Sequence, residues 1–167
     1  MFSKGLSPLS RRRAATQLPA VMLLAILPGT ANSASAPDAA TLPLDPIKPF
    51  SEHRLVLQLS DKDPSKHELV IGVAFNMLAA YELDKISIQV VVFADGMELL
   101  RADGSSRPLV DSLIVQGVVF NACGATLQTI ERKSGRPFPL NPRVKVVPAG
   151  VARILDLTEA SYTLVRP

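Results

Sequence analysis

The residue of this sequence best suited to chemistry is its single cysteine, Cys123, which follows the apolar run Val118-Val119-Phe120 and precedes Gly124. A lone cysteine has no internal disulfide partner, so it is either a small buried hydrophobe or a working thiol. The chemistry of a working thiol is nucleophilic: as thiolate it attacks electrophiles and accepts sulfur. Gly124 permits close backbone approach. A helix opening there would also turn free N–H groups and the positive end of its dipole toward the sulfur. Asn121, two residues earlier, either orients the cysteine loop or caps it.

Four further side chains complete the candidates. Asp95 ends a second apolar run, from which it can reach Cys123 across the top of a sheet as a hydrogen-bond or proton acceptor; Asp95-Gly96 is equally ordinary turn chemistry. Asn76 sits among apolar neighbours on a helical stretch, where it either bonds a loop near the site or is simply exposed. His53 and His67 are the only histidines. With no second cysteine beside either, a structural zinc site lacks ligands, and a Cys–His nucleophile would need the fold to bring one of them to Cys123. The candidate site is therefore Cys123 as the catalytic thiol, with Asp95, Gly96, Asn76, Asn121 and Gly124 around the substrate. The sequence has no C-x-x-C pair, no Walker loop and no G-x-S-x-G turn. No metal and no cofactor is expected, since flavin or nucleotide binding would rest on fold analogy alone.

The elements that must position these residues alternate between β-branched apolar runs and segments of helical period, the pattern of a parallel sheet flanked by helices. Leu55 to Leu59 reads as the first strand. Ser65 is a fair N-cap with Glu68 as its capping-box partner, and Leu69, Val73, Met77 and Tyr81 mark one apolar stripe. Ile86 to Phe93 is nearly continuous in apolar residues, as in a central strand buried on both faces, and stops at Ala94-Asp95-Gly96. Pro108 opens a helix that Gly117 closes, with Leu109, Val110, Leu113 and Ile114 facing inward. Val118 to Phe120 is the third strand, followed by a short helix through Leu127 and Ile130. Val144 to Val147 is the fourth. A helix with Val151, Ile154, Leu155 and Thr158 on one side leads to a last strand at Tyr162 to Val165. The expected fold is α/β: a three-layer α/β/α sandwich on a five-stranded, mostly parallel sheet.

Upstream, Arg11-Arg12-Arg13 precedes an apolar run from Leu18 to Leu27 and a small-residue zone, the order of a secretory signal. The run is too short for a lasting membrane span. A signal peptide is thus expected over 1–36, a Pro-rich linker over 37–52 and the α/β domain over 53–167, with a periplasmic or secreted location. Lys4 and the three arginines are four of the 18 basic residues, and no acidic residue precedes Pro37. The remainder is near neutral and poor in aromatics, which removes the main support for a nucleic-acid partner. An apolar content of 47% in a short domain suggests surface left to bury between copies.

The stretch Val90 to Leu100, followed by Gln116 to Leu127, resembles the DsrE/DsrF-like family of sulfur-handling proteins. The likeness extends over about residues 53–167, including Val147-Pro148-Ala149-Gly150-Val151 and Tyr162-Thr163-Leu164. Its most specific piece is the order glycine, apolar strand, cysteine, glycine and threonine around position 123. The resemblance implies a flavodoxin-like fold, assembly as trimers or hexamers, and a cysteine that carries sulfur as a persulfide, which maps onto Cys123. The sequence departs from it in its export signal, because the family's relays work in the cytoplasm with dedicated partner chains. The expectation is an exported sulfur carrier or sulfurtransferase-like protein exchanging with a donor or acceptor protein or a small thiol. The alternative is a non-catalytic oligomeric binding or scaffold module with Cys123 inert in its core.

Overall fold

Seven consecutive residues, Ile86–Val92, are buried without exception, as expected of a strand covered on both faces. They form β2 of a computed structural model that describes Lys48 and residues 50–167. The expected leader over 1–36, and the linker apart from Lys48 and residues 50–52, lie outside the described residues. The remaining elements are β1 (His53–Leu59), α1 (Pro64–Tyr81), a 3₁₀ helix (Ala94–Leu100), α2 (Arg107–Val115), β3 (Val119–Cys123), α3 (Gly124–Ser134), β4 (Lys145–Val147), α4 (Gly150–Glu159) and β5 (Thr163–Val165). The five strands and four α-helices read from the sequence are present, and the sheet is wholly parallel in the order β4-β3-β2-β1-β5. The plan is doubly wound like that of flavodoxin, with its own strand order.

That order decides which face each helix covers. Steps from β1 to β2 to β3 to β4 all move the same way across the sheet, so right-handed crossovers put α1, α2 and α3 on one face. There Val70, Ile71 and Leu78 of α1 and Val110 and Leu113 of α2 bury the inward residues Leu57, Ile88, Val90 and Phe120, with Leu127 and Ile130 of α3 packed against them. The step from β4 to β5 runs back past β1, so α4 lies on the opposite face, where Ile154, Leu157 and Tyr162 cover Val56 and Val91. Neighbouring strands β3 and β4 therefore send their chains to opposite faces. The crevice outside such strand ends is where open α/β sheets collect ligands.

Several local expectations are corrected. Asp63, not Ser65, caps α1: its carboxylate accepts from the Ser65 N–H at 2.9 Å, and Pro64 occupies the first turn. Proline holds the residue before it extended, which makes Asp63 the cap and leaves Ser65 and Glu68 inside the helix without a capping box. The face that α1 buries is His67, Val70, Ile71, Ala74 and Leu78, while Leu69 and Tyr81 of the expected stripe are exposed. Because α1 is apolar on most sides, more than one row has helical spacing, and tertiary packing selects between them. Leu109 on α2 and Val151 and Leu155 on α4, expected to face inward or to one side, are likewise exposed, whereas Ile154 and Leu157 are buried. Where Asp95-Gly96 has the chemistry of a turn, the chain forms a 3₁₀ helix that buries Met97, Leu99 and Leu100. No helix among the described residues is long and apolar enough to cross a membrane.

Candidate functional site

Cys123 is the last residue of β3 and the residue from which α3 springs, with an extended backbone at φ −72° and ψ 112°. It lies in register with Val147, the last residue of β4, three residues before α4 begins at Gly150. Adjacent strand ends thus launch two helices whose first turns flank one sulfur. The chain is packed closely enough to bring them together. The Ala125 N–H donates to the Pro148 carbonyl at 3.1 Å. A Cβ on Gly124 would stand 3.0 Å from the Val147 carbonyl oxygen, and one on Gly150 would stand 3.3 Å from Cβ of Cys123. Glycine at both positions lets α3 and α4 approach, so the backbone that Gly124 admits is that of β4.

Electrostatics at the sulfur are set by two opposed effects. Burial pushes the Cys123 thiol up, since only 6% of the residue is exposed. The Thr126 hydroxyl, then the backbone N–H groups of Gly150, Thr126 and Ala125, favour the ionised form and together outweigh burial, holding the thiol below its ordinary value. Three of these donors come from the first turn of α3 and the fourth from the first residue of α4. The three N–H groups among them are backbone donors that a helix leaves without internal partners. Thr126 Oγ1 also accepts from the Ala94 N–H at 3.2 Å. That bond leaves the hydroxyl proton available for the sulfur. Ala94 itself holds φ +50°, a left-handed conformation rare outside glycine and costly enough to draw attention when it borders a candidate site.

Beside this cradle a cleft of about 780 Å³ runs along α3, bounded by Ala94 and Asp95 at one end, by Ala125, Thr126, Thr129 and Ile130 along its floor, and by Lys133 and Ser134 at the other end. Asp95 therefore shares a cleft with a residue that touches the thiol. The other expected site residues are placed elsewhere. Gly96 is buried against Leu59 at the end of β1. Asn121 neither orients nor caps the cysteine loop: fully buried in β3, it donates to Gln89 Oε1 at 2.8 Å, and its own Oδ1 has no hydrogen-bond partner. Asn76 is exposed, twelve residues into α1, roughly 18 Å of helix from its start. His53 stacks on Tyr81 at the far end of the sheet, about 20 Å of strand from the level of Cys123, and His67 bonds the Asp61 carbonyl. Neither histidine meets the cysteine, and no cluster of metal ligands occurs among the described residues.

Two contributors were missed. Thr126 had a local signal, a hydroxyl three residues past Cys123 in the first turn of a helix, the spacing at which side chains and helix starts interact. Gly150 had none, because only the pairing of β3 with β4 brings it to the sulfur.

No family model matches the sequence, and no curated protein matches it. Among solved structures, that of a protein of unknown function, MTH1491 from Methanobacterium thermoautotrophicum, aligns with a TM-score of 0.62 at 33% sequence identity, covering 69% of this chain and 99% of that one. Identity of that degree along nearly the whole of the archaeal chain exceeds a likeness of fold, and this chain belongs to the same family as MTH1491.

Proposed function

We propose that the protein is an exported sulfur carrier of the DsrE/DsrF-like type that uses Cys123 as a persulfide-forming thiol. The observation that carries the reading is the place of Cys123 at the end of β3, packed between the first turns of α3 and α4, where donors of Thr126, Gly150 and Ala125 favour its ionised form. In the reaction the Cys123 thiolate attacks the outer sulfur of a donor R–S–SH. A new S–S bond forms at Sγ, the donor's S–S bond breaks, and its electron pair leaves with R–S⁻. The terminal sulfur is then passed to an acceptor thiolate by the reverse exchange, with no net oxidation. The same N–H groups that favour the thiolate favour the charge that returns to it as the persulfide is discharged.

Intact mass after incubation with inorganic polysulfide tests this reading. Wild type is expected to gain one sulfur atom that a reductant removes, and Cys123→Ser to gain none; a wild-type chain that stays unmodified sinks it. The burial of Cys123 favours the competing reading, an inert core cysteine in a scaffold. That reading requires thiol labelling to be far slower in the folded chain than in the unfolded one.

Assembly belongs to the same proposal. Val151 and Leu155, one turn apart on α4, are 59% and 60% exposed, an apolar pair suited to contact with another copy. Light scattering is expected to give a trimer or hexamer, and a monomer at micromolar concentration would refute it.

A further inference from the structure

The cleft beside Cys123 has a charge pattern that the fold does not use. Its floor is one face of α3, repeating every four residues from Ala125 and Thr126 through Thr129 and Ile130 to Lys133 and Ser134. Asp95 stands at the end nearest the thiol cradle and Lys133 at the other. Neither makes an ion pair or side-chain hydrogen bond with any described residue. From Thr126 to Lys133 the helix rises roughly 10 Å, the reach of about three extended residues. An apolar floor between two opposite and unneutralised charges suits a ligand that is itself zwitterionic. We propose, building on the sulfur-carrier reading, that the cleft seats a tripeptide-sized thiol or its persulfide, its ammonium on Asp95 and a carboxylate on Lys133, so that its sulfur is presented to Cys123.

The group transferred is the sulfane sulfur of that donor. Its S–S bond breaks as the bond to Cys123 forms, and the thiolate of the peptide leaves along the floor of the cleft. Arg132 provides an internal control: it belongs to the same basic last turn of α3 yet does not line the cleft. A general attraction between a basic helix end and an anion would involve both residues, whereas a seated ligand distinguishes them.

The test uses the full chain carrying Cys123→Ser, titrated with reduced glutathione and followed by NMR and calorimetry, so that binding is read without sulfur transfer. Saturable binding at millimolar concentration or below is expected, weakened about two- to fivefold by Lys133→Ala and similarly by Asp95→Asn. Arg132→Ala should leave it unchanged, and glutathione diethyl ester should bind as weakly as glutathione does to the Lys133→Ala chain. Absence of saturation, or equal affinity for glutathione and its ester, overturns the proposal. Polysulfide loading of the wild-type chain separates the two readings. If Cys123 takes sulfur from polysulfide while glutathione fails to bind, only the cleft assignment falls. If glutathione binds as described and no persulfide ever forms, the cleft assignment stands and the carrier reading falls.

Discussion

Replacing Gly96 by valine is expected to destabilise the domain by about 2–4 kcal/mol and to disturb the candidate site at the same time. A Cβ at this position would lie 2.9 Å from the Leu59 carbonyl oxygen and 3.1 Å from both its carbonyl carbon and its Cγ. Two of those atoms are backbone at the end of β1, where Leu59 pairs with Val92 of β2 and its carbonyl accepts from the Phe93 N–H at 3.1 Å, so they cannot turn aside as a flexible side chain would. The 3₁₀ helix would have to lift instead. Lifting it strains the Gly96 N–H bond to the Ser60 carbonyl at 3.0 Å and withdraws Met97, Leu99 and Leu100, each at most 1% exposed, from the core. Overpacking alone costs about 1–3 kcal/mol, and loosening three large side chains adds to it. Denaturant unfolding reads the loss as a lower midpoint at unchanged slope. Gly96→Ala should fall between the two, because one methyl meets the same carbonyl with less bulk behind it. A valine variant within about 0.5 kcal/mol of wild type would show that the 3₁₀ helix is not seated as described.

What the sequence disclosed follows from what each signal measures. Strands surfaced clearly because their apolar runs are short, β-branched and bounded, and β2 in particular has no polar face to confuse with a helix apart from Ser87 and Gln89. Helix existence was equally legible, yet helix orientation was not. On α1 the residues at 69, 73, 77 and 81 and those at 67, 70, 71, 74 and 78 both read as helical rows, and only the sheet beneath selects the second. The 3₁₀ helix escaped for a different reason: seven residues with i→i+3 bonds are too few to establish a period, and Asp95-Gly96 reads locally as a turn.

The site divides along the same line. The place of Cys123 at a strand end and the helix start after it are local facts, written in Val118 through Leu127. The Gly150 N–H and the cleft beside Asp95 depend on strand order, which no local pattern carries. Asn121 shows the converse failure. Its proximity in sequence to the cysteine suggested a role in the loop, but the alternation of a strand sends its side chain beneath α4 to pair with Gln89.

The thiol itself supplies the second large effect. Thr126→Val keeps the shape of the side chain, removes the hydroxyl that favours the thiolate, and leaves the Ala94 N–H without its acceptor. A hydrogen bond to a charged group contributes about 1.5–3 kcal/mol, so losing it raises the thiol back toward its ordinary value. A more basic thiolate is also a better nucleophile, with a Brønsted slope of about 0.4–0.5, which offsets nearly half of the lost ionisation. Alkylation of the folded chain near neutral pH should therefore slow by about four- to tenfold, with the rate still climbing at pH values where wild type has levelled off. Thr126→Ser, which restores the hydroxyl, should recover most of the wild-type rate. Stability must follow the same proton. Because the folded thiol ionises below its unfolded value, the thiolate favours the folded state; that contribution is complete above the unfolded pKa of about 8.5 and vanishes as pH falls through the folded one. The stability of wild type relative to Cys123→Ser should thus rise with pH across that window, and Thr126→Val should flatten the rise. Equal alkylation profiles for wild type and Thr126→Val would mean that the hydroxyl does not act on the sulfur, and the thiolate would then rest on the backbone donors of α3 and α4 alone.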